Sequence, residues 1–99
     1  MRKVVIREAE YKLAYNLRSL FVYEEIAGHP YKGEKTIDSY MLLYAMLQAN
    51  NEGFTMTFDE FIDACDEDMN IYAEFCAVLE DYGKRVSGYV ENKKKAENR

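Results

Sequence analysis

The middle of the chain contains a segment that is apolar on two opposite sides when it is drawn as a helix. Thr36 or Asp38 is a suitable cap for this helix, which we expect to reach about Ala49 before Asn50-Asn51-Glu52-Gly53 ends it. With about 100° between successive residues, the apolar side chains divide into two faces. One face carries Ile37, Tyr40, Met41 and Tyr44, and the other carries Leu42, Leu43 and Met46. Such a helix lies either at the centre of a core or between a core and an interface.

The N-terminal residues predict a two-stranded β-hairpin. Lys3–Arg7 is short and rich in β-branched residues, Glu8–Glu10 is a polar interruption, and Tyr11–Tyr15 alternates apolar with polar or small residues. The interruption contains neither Asn-Gly nor Asp-Gly, the pairs that favour tight hairpin turns. Because a lone hairpin is only marginally stable in water, we expect the helix that follows to pack on one of its faces.

Capping residues predict two further helices. Asn16 is a good N-cap for a helix over Leu17–Ala27, which Gly28 ends. Thr57 and Glu60 have the spacing of a capping box, directly ahead of apolar residues at helical spacing. Each of these helices is therefore predicted from local side-chain chemistry.

A fourth helix is predicted near the C-terminus. The acidic stretch Asp66–Asp68 interrupts the preceding pattern, and apolar residues at helical spacing resume from Met69 to about Tyr82. Gly83 is expected to close this helix. The remaining residues are rich in lysine and asparagine and contain few apolar anchors.

The order of these segments predicts an α+β fold that is mainly α: an N-terminal β-hairpin, about four helices and a basic C-terminal tail. At 99 residues the chain is long enough for one hydrophobic core and too short for two. We predict a single helical domain with its hairpin over residues 1–83, followed by a frayed or disordered tail over residues 84–99.

Charge is distributed unevenly between these two parts. Residues 1–83 contain 7 basic and 16 acidic side chains, a net charge of −9, whereas residues 84–99 contain 6 and 2, a net charge of +4. An acidic body repels phosphate backbones, so we expect no nucleic-acid binding by the folded part. The N-terminal apolar run is far shorter than a signal peptide or a membrane span, which predicts a cytoplasmic protein without a membrane partner.

We predict no metal site and no cofactor. Cys65 and Cys76 form no CxxC motif, and with a single histidine in the chain they cannot complete a zinc site. Asp66-Glu67-Asp68-Met69-Asn70 is similar to the start of a calcium loop, but Ile71 replaces the turn glycine and Ala77 replaces the bidentate glutamate. The five glycines are isolated from one another, so there is no phosphate-binding loop.

No arrangement of nucleophile and base is recognisable, and we predict that the chain is not an enzyme. His29 is the only imidazole, and it precedes a proline in a predicted loop. The chain has no G-x-S-x-G turn that would present a serine to such a base. The residues alone therefore predict a protein that acts by binding another protein.

The order of features resembles one protein family. A short hairpin over Val4–Leu13 leads into a helix over Asn16–Gly28, followed by an apolar helix around Met41–Leu47 and an acidic helix that starts at Thr57-Phe58-Asp59-Glu60-Phe61. This order resembles the tail assembly chaperones of long-tailed bacteriophages and prophages. The resemblance implies a cytoplasmic protein of the bacterial host that shields the helices of the tape-measure protein during tail assembly and can self-assemble.

The double-faced central helix supplies the candidate partner site. We expect Leu42, Leu43 and Met46 to bind either the partner or a second copy of the chain. The alternative function is a small acidic regulatory or adaptor domain of a mobile element, whose acidic face binds a basic protein partner. Salt separates the two functions, because apolar binding survives high salt and charge-driven binding does not.

Overall fold

The chain folds as a hairpin followed by four helices in a computed structural model, which describes the backbone of residues 2–97 and the side chains of residues 2–84. The elements of this part of the chain are β1 (Arg2–Ile6), β2 (Ala9–Leu13), α1 (Leu17–Ala27), α2 (Thr36–Asn50), α3 (Phe58–Glu67) and α4 (Asn70–Glu97). The structure thus confirms the predicted fold class, α+β and mainly α, with the hairpin at the N-terminus.

A two-residue turn joins the antiparallel strands β1 and β2. The turn residues, Arg7 and Glu8, have φ angles of 49° and 71°, in the left-handed region that a type I′ turn requires and that Gly and Asn favour. Because neither favoured residue is present, the sequence carries no signal for this turn. The strands predicted over residues 3–7 and 11–15 are therefore displaced by one and two residues from the observed strands.

One face of the hairpin is buried and the other faces outward. The buried face carries Val4, Ile6 and Leu13. The strands pack mainly on α4 and α2, so the expectation that α1 would cover the hairpin is wrong. At the start of β1, the Nε of Arg2 donates a hydrogen bond to Oε2 of Glu74, with 2.7 Å between the two atoms. This ion pair joins the first strand to the last helix.

Helix α2 forms the centre of the core. Its buried residues are consecutive: Leu42, Leu43, Tyr44, Ala45, Met46 and Leu47. The helix packs against α1, β2 and α3. The hydroxyl of Tyr44, the only side-chain oxygen in this buried run, donates a hydrogen bond to the carbonyl oxygen of Met56 at 2.6 Å. This buried hydroxyl therefore has a hydrogen-bond partner.

Asn50 and Asn51, which we call the asparagine clamp, attach the end of α2 to neighbouring backbone. Oδ1 of Asn51 accepts a hydrogen bond from the N–H of Lys12 at 2.8 Å, and Nδ2 donates to the carbonyls of Lys12 at 2.8 Å and Leu47 at 2.9 Å. Nδ2 of Asn50 donates to the carbonyl of Ala14 at 3.2 Å. The clamp therefore fixes α2 against β2 and against the connection to α1.

The caps of α1 and α3 lie where local chemistry predicts them. The side chain of Asn16 accepts from the N–H of Ser19 at 3.0 Å, and Gly28 ends α1 with a φ of 78°. Oγ1 of Thr57 accepts from the N–H of Glu60 at 3.2 Å. Both helices therefore begin at the predicted residue, as expected when short-range hydrogen bonds determine the start.

The start of α2 uses a different arrangement from the predicted one. Lys35, which has no acceptor atom in its side chain, occupies the N-cap position, and the helix begins at Thr36. Oδ2 of Asp38 reaches back and accepts from the N–H groups of Glu34 at 3.2 Å and Lys35 at 3.0 Å. The prediction that Thr36 or Asp38 occupies the cap is therefore wrong in position, although Asp38 does bind the free amides.

Helix α4 does not end at Gly83. It begins at Asn70 and continues to Glu97, so the predicted end is wrong. A glycine inside a helix costs only about 1 kcal/mol relative to alanine, and the lysine, arginine and glutamate residues beyond it are good helix formers. The division into a domain over residues 1–83 and a frayed or disordered tail over residues 84–99 stays a prediction, and the side chains beyond Lys84 lie outside the described residues.

We expect Asn51→Ala to lower the free energy of unfolding by about 1–3 kcal/mol, because it removes two hydrogen bonds to the backbone of Lys12 and one to the carbonyl of Leu47, and each contributes about 0.5–1.5 kcal/mol. Urea unfolding followed by circular dichroism measures this change. The neighbouring exposed substitution Glu52→Ala is the control and should alter the free energy by less than about 0.5 kcal/mol. Equal effects of the two substitutions would contradict a structural role for the clamp.

Candidate functional site

The residues expected to bind a partner, Leu42, Leu43 and Met46, lie in the core. All three side chains are fully buried, and α2 packs against α1, β2 and α3. The helical pattern shows two apolar faces but does not show which face a neighbour covers, because the neighbours are distant in sequence. The structure contradicts the expectation of an exposed face here, and these side chains are not available to a partner of the folded domain.

The opposite face of α2 reaches the surface at its N-terminal end. Ile37 is 51% exposed, and Tyr40, one turn later, is partly exposed. Tyr44, a further turn along the same face, is buried. The helix is therefore core over its middle residues and reaches the surface in its first turns and again at Gln48.

A surface groove lies where the first turns of α2, the end of α3 and the start of α4 meet. We call it the tyrosine groove, with a volume of about 460 Å³ and a lining of Tyr40, Cys65, Asp66, Met69, Asn70, Tyr72 and Ala73. The rings of Tyr40 and Tyr72 are stacked, with centroids 4.9 Å apart and planes at 26°. Met69 is 84% exposed. The groove therefore has an aromatic wall and an exposed thioether side chain.

The titratable groups of the tyrosine groove divide into neutral and anionic ones. Burial, followed by the nearby carboxylates of Asp66 and Asp68, raises the pKa of the Cys65 thiol to about 11. Burial is also the main cause that raises the pKa of the Tyr40 hydroxyl, with smaller contributions from Cys65 and Tyr72. At neutral pH the thiol and this phenol are therefore uncharged, and the negative charge at the groove comes from aspartates.

A second apolar surface lies on α1. Ser19 and Tyr23 are fully buried and define the inner side of this helix. Leu17 and Phe21, four residues apart and roughly opposite, are 69% and 58% exposed. We call this pair the α1 outer face. The sequence signal for it is two large apolar residues one turn apart on the side of the helix that also carries charged residues, and this signal was missed.

The side chains considered for metal binding and catalysis lie apart. Among residues 2–84, no group of three His, Cys, Asp or Glu side chains is arranged to hold a metal ion. Oδ1 of Asp68 accepts a hydrogen bond from the N–H of Asn70 at 3.0 Å, so it caps the start of α4. His29 lies in an exposed loop with Nδ1 2.8 Å from the carbonyl oxygen of Pro30. No helix in the described part of the chain is long and apolar enough to cross a membrane.

Met46→Ala tests the burial of α2. We expect it to lower the free energy of unfolding by about 2–5 kcal/mol, because it leaves a cavity in a packed core. Ile37→Ala, on the exposed part of the same helix, is the matched control and should cost less than about 1 kcal/mol. Urea unfolding of both variants measures the difference. Similar losses of unfolding free energy in the two variants would contradict the burial of Met46.

The two cysteines should differ in reactivity. With a pKa of about 11, roughly one Cys65 thiol in a thousand is ionised at pH 8, and only the thiolate is nucleophilic. Cys76 is exposed. In the native state, iodoacetamide should therefore modify a Cys65→Ser variant, which retains Cys76, at least tenfold faster than a Cys76→Ser variant. Urea should abolish the difference, and equal native rates would contradict the burial of Cys65.

Comparisons with known proteins do not assign this geometry to a family. No protein-family model, no curated protein sequence and no solved structure matches the chain.

Proposed function

We propose that this chain acts by binding another protein and has no catalytic activity of its own. In this proposal it shields an amphipathic helix of its client, in the way that the resemblance to phage tail assembly chaperones implies for the tape-measure protein. The observation that carries the proposal is the α1 outer face, where Leu17 and Phe21 project away from the core. Large apolar side chains exposed together are characteristic of protein interaction sites.

The energetics of the α1 outer face suit a helical client. Covering an exposed leucine or phenylalanine completely contributes about 1.5–3 kcal/mol, and both side chains are more than half exposed. Their spacing of four residues forms a ridge along α1, and the apolar stripe of a second helix can pack beside such a ridge. Aromatic residues, phenylalanine among them, are also enriched in protein interfaces relative to the rest of the surface.

The chemistry of the described residues is consistent with a binding role. A nucleophilic mechanism would require an ionised thiol or an activated hydroxyl next to a base. The raised pKa of Cys65 keeps its thiol protonated, and the His29 ring is directed to the backbone of its own loop. These features support a proposal without turnover chemistry.

A second candidate function is supported by charge. Residues 1–83 carry a net charge of −9, and Asp59 and Asp63 are exposed on α3. An acidic adaptor domain would use such carboxylates to attract a basic partner. This binding would weaken strongly as salt shortens the screening length.

Phe21→Ser tests the chaperone-type function. We expect the variant to fold normally and to bind a tape-measure protein from the same genome at least tenfold more weakly, because about 1.4 kcal/mol of apolar contact corresponds to a tenfold change. Isothermal titration or co-purification of the co-expressed pair measures binding. Val5→Ser, which alters an exposed apolar residue on the hairpin, is the control and should bind like the wild-type chain.

Salt distinguishes the two candidate functions in the same assay. In about 1 M salt the screening length is near 3 Å, so a complex made by the α1 outer face should persist and a complex made by exposed carboxylates should dissociate. Loss of the complex in high salt together with normal binding by Phe21→Ser would favour the adaptor. Absence of any complex at low salt would refute the tape-measure client.

A further inference from the structure

The tyrosine groove lies on elements other than α1, and the proposed client interaction does not use it. Its apolar part consists of the stacked rings of Tyr40 and Tyr72 and the Met69 side chain, which is almost fully exposed. Its charged part is acidic, with Asp66 in the lining and Asp68 beside it. A ligand of the tyrosine groove therefore has to match both an apolar wall and negative charge.

We propose that the tyrosine groove is a second binding site, which takes a basic amphipathic segment of a partner protein. The segment places an arginine or lysine at the carboxylates and an adjacent apolar side chain against Met69. This site shares no residue with the α1 outer face, so experiments can support or refute the two binding sites separately.

The charged groups at the groove select a cation. Glu67, which lies between Asp66 and Asp68 in the sequence, pairs with Arg7, with 3.4 Å between Oε1 and the guanidinium nitrogen. Among residues 2–84, no ion pair involves Asp66 or Asp68. An arriving cation would therefore meet carboxylates that no described basic residue neutralises. An anionic ligand such as a nucleotide would be repelled.

The tyrosine rings favour a cation that carries an apolar stem. Tyrosine faces attract lysine and arginine head groups, and they also pack against the methylene stems of these side chains. The rings of Tyr40 and Tyr72 already stack on each other, so this wall exists without the ligand. A preformed wall lowers the ordering cost of binding.

Met69 supplies the second half of the specificity. It lies in the connection between α3 and α4 and is more exposed than the other large apolar residues among those described. An unbranched thioether adapts to apolar partners of different shape, which is why methionine is common in peptide-binding surfaces. An apolar neighbour of the bound cation would cover it.

The test uses a synthetic amphipathic helical peptide of leucine and lysine, titrated into the full-length chain and followed by the amide resonances of the protein. Two matched peptides serve as comparisons, one with every lysine replaced by glutamate and one with every leucine replaced by serine. The leucine-lysine peptide should shift the resonances of Tyr40, Cys65, Met69 and Tyr72 and bind at least tenfold more tightly than either comparison. Equal binding of the serine peptide would reduce the effect to general charge attraction and overturn the proposal.

Variants locate the site. Met69→Ser and Asp66→Asn alter exposed side chains, so the fold should be retained. Met69→Ser should lower the affinity for the leucine-lysine peptide about tenfold, and Asp66→Asn should lower it about threefold. Glu52→Gln removes one exposed charge elsewhere and should change the affinity less than twofold, as should Phe21→Ser. Resonance shifts that centre on α1 and disappear in Phe21→Ser would overturn the proposal without affecting the client function.

A second copy of the chain is the competing occupant. Sedimentation of the chain alone, with and without Met69→Ser, separates the two cases. A monomer that binds the peptide supports a partner segment. Self-association that Met69→Ser abolishes would show that another copy of the chain fills the groove, and would overturn the proposal.

Discussion

The burial of α2 is the constraint on which the rest of the structure depends. Six consecutive buried residues leave this helix no solvent side over that stretch, so other elements must surround it. Helix α1, strand β2 and helix α3 provide the surrounding surfaces. Each of these elements then has one side directed towards α2, and its remaining side determines what the molecule presents to other molecules.

The polar contacts at the two ends of α2 complete this arrangement. At its start, Asp38 binds the amides of the preceding residues, and at its end the asparagine clamp binds the backbone of β2. The clamp uses an amide side chain in the way that a neighbouring strand would use its backbone, with one donor and one acceptor to Lys12. This contact connects the hairpin to the end of α2, and within the buried run the Tyr44 hydroxyl adds a second polar contact, to the carbonyl of Met56.

Helix starts set by a side-chain hydrogen bond three residues along could be predicted from the sequence, whereas features set by distant neighbours could not. Asn16 and Thr57 cap α1 and α3 as expected because their partners lie three residues away. The hairpin turn was misplaced because Arg7 and Glu8 adopt positive φ without a favoured residue. The expectation that Leu42, Leu43 and Met46 bind a partner is wrong because only the folded chain shows which elements cover α2. The same limitation concealed the tyrosine groove, whose lining comes from three helices.

The two outward apolar surfaces differ in their relation to the core, and this difference bears on how they could function. Leu17 and Phe21 lie on the side of α1 opposite its fully buried residues, so a partner bound there would contact side chains that are more than half exposed. Tyr40 lies one turn before Tyr44, which is buried, and the ring of Tyr72 lies 5.5 Å from the ring of Phe75, which is also buried. A ligand in the tyrosine groove would therefore contact side chains continuous with the core. Binding at either surface should add to the free energy of unfolding, because a ligand that binds only the folded state stabilises it.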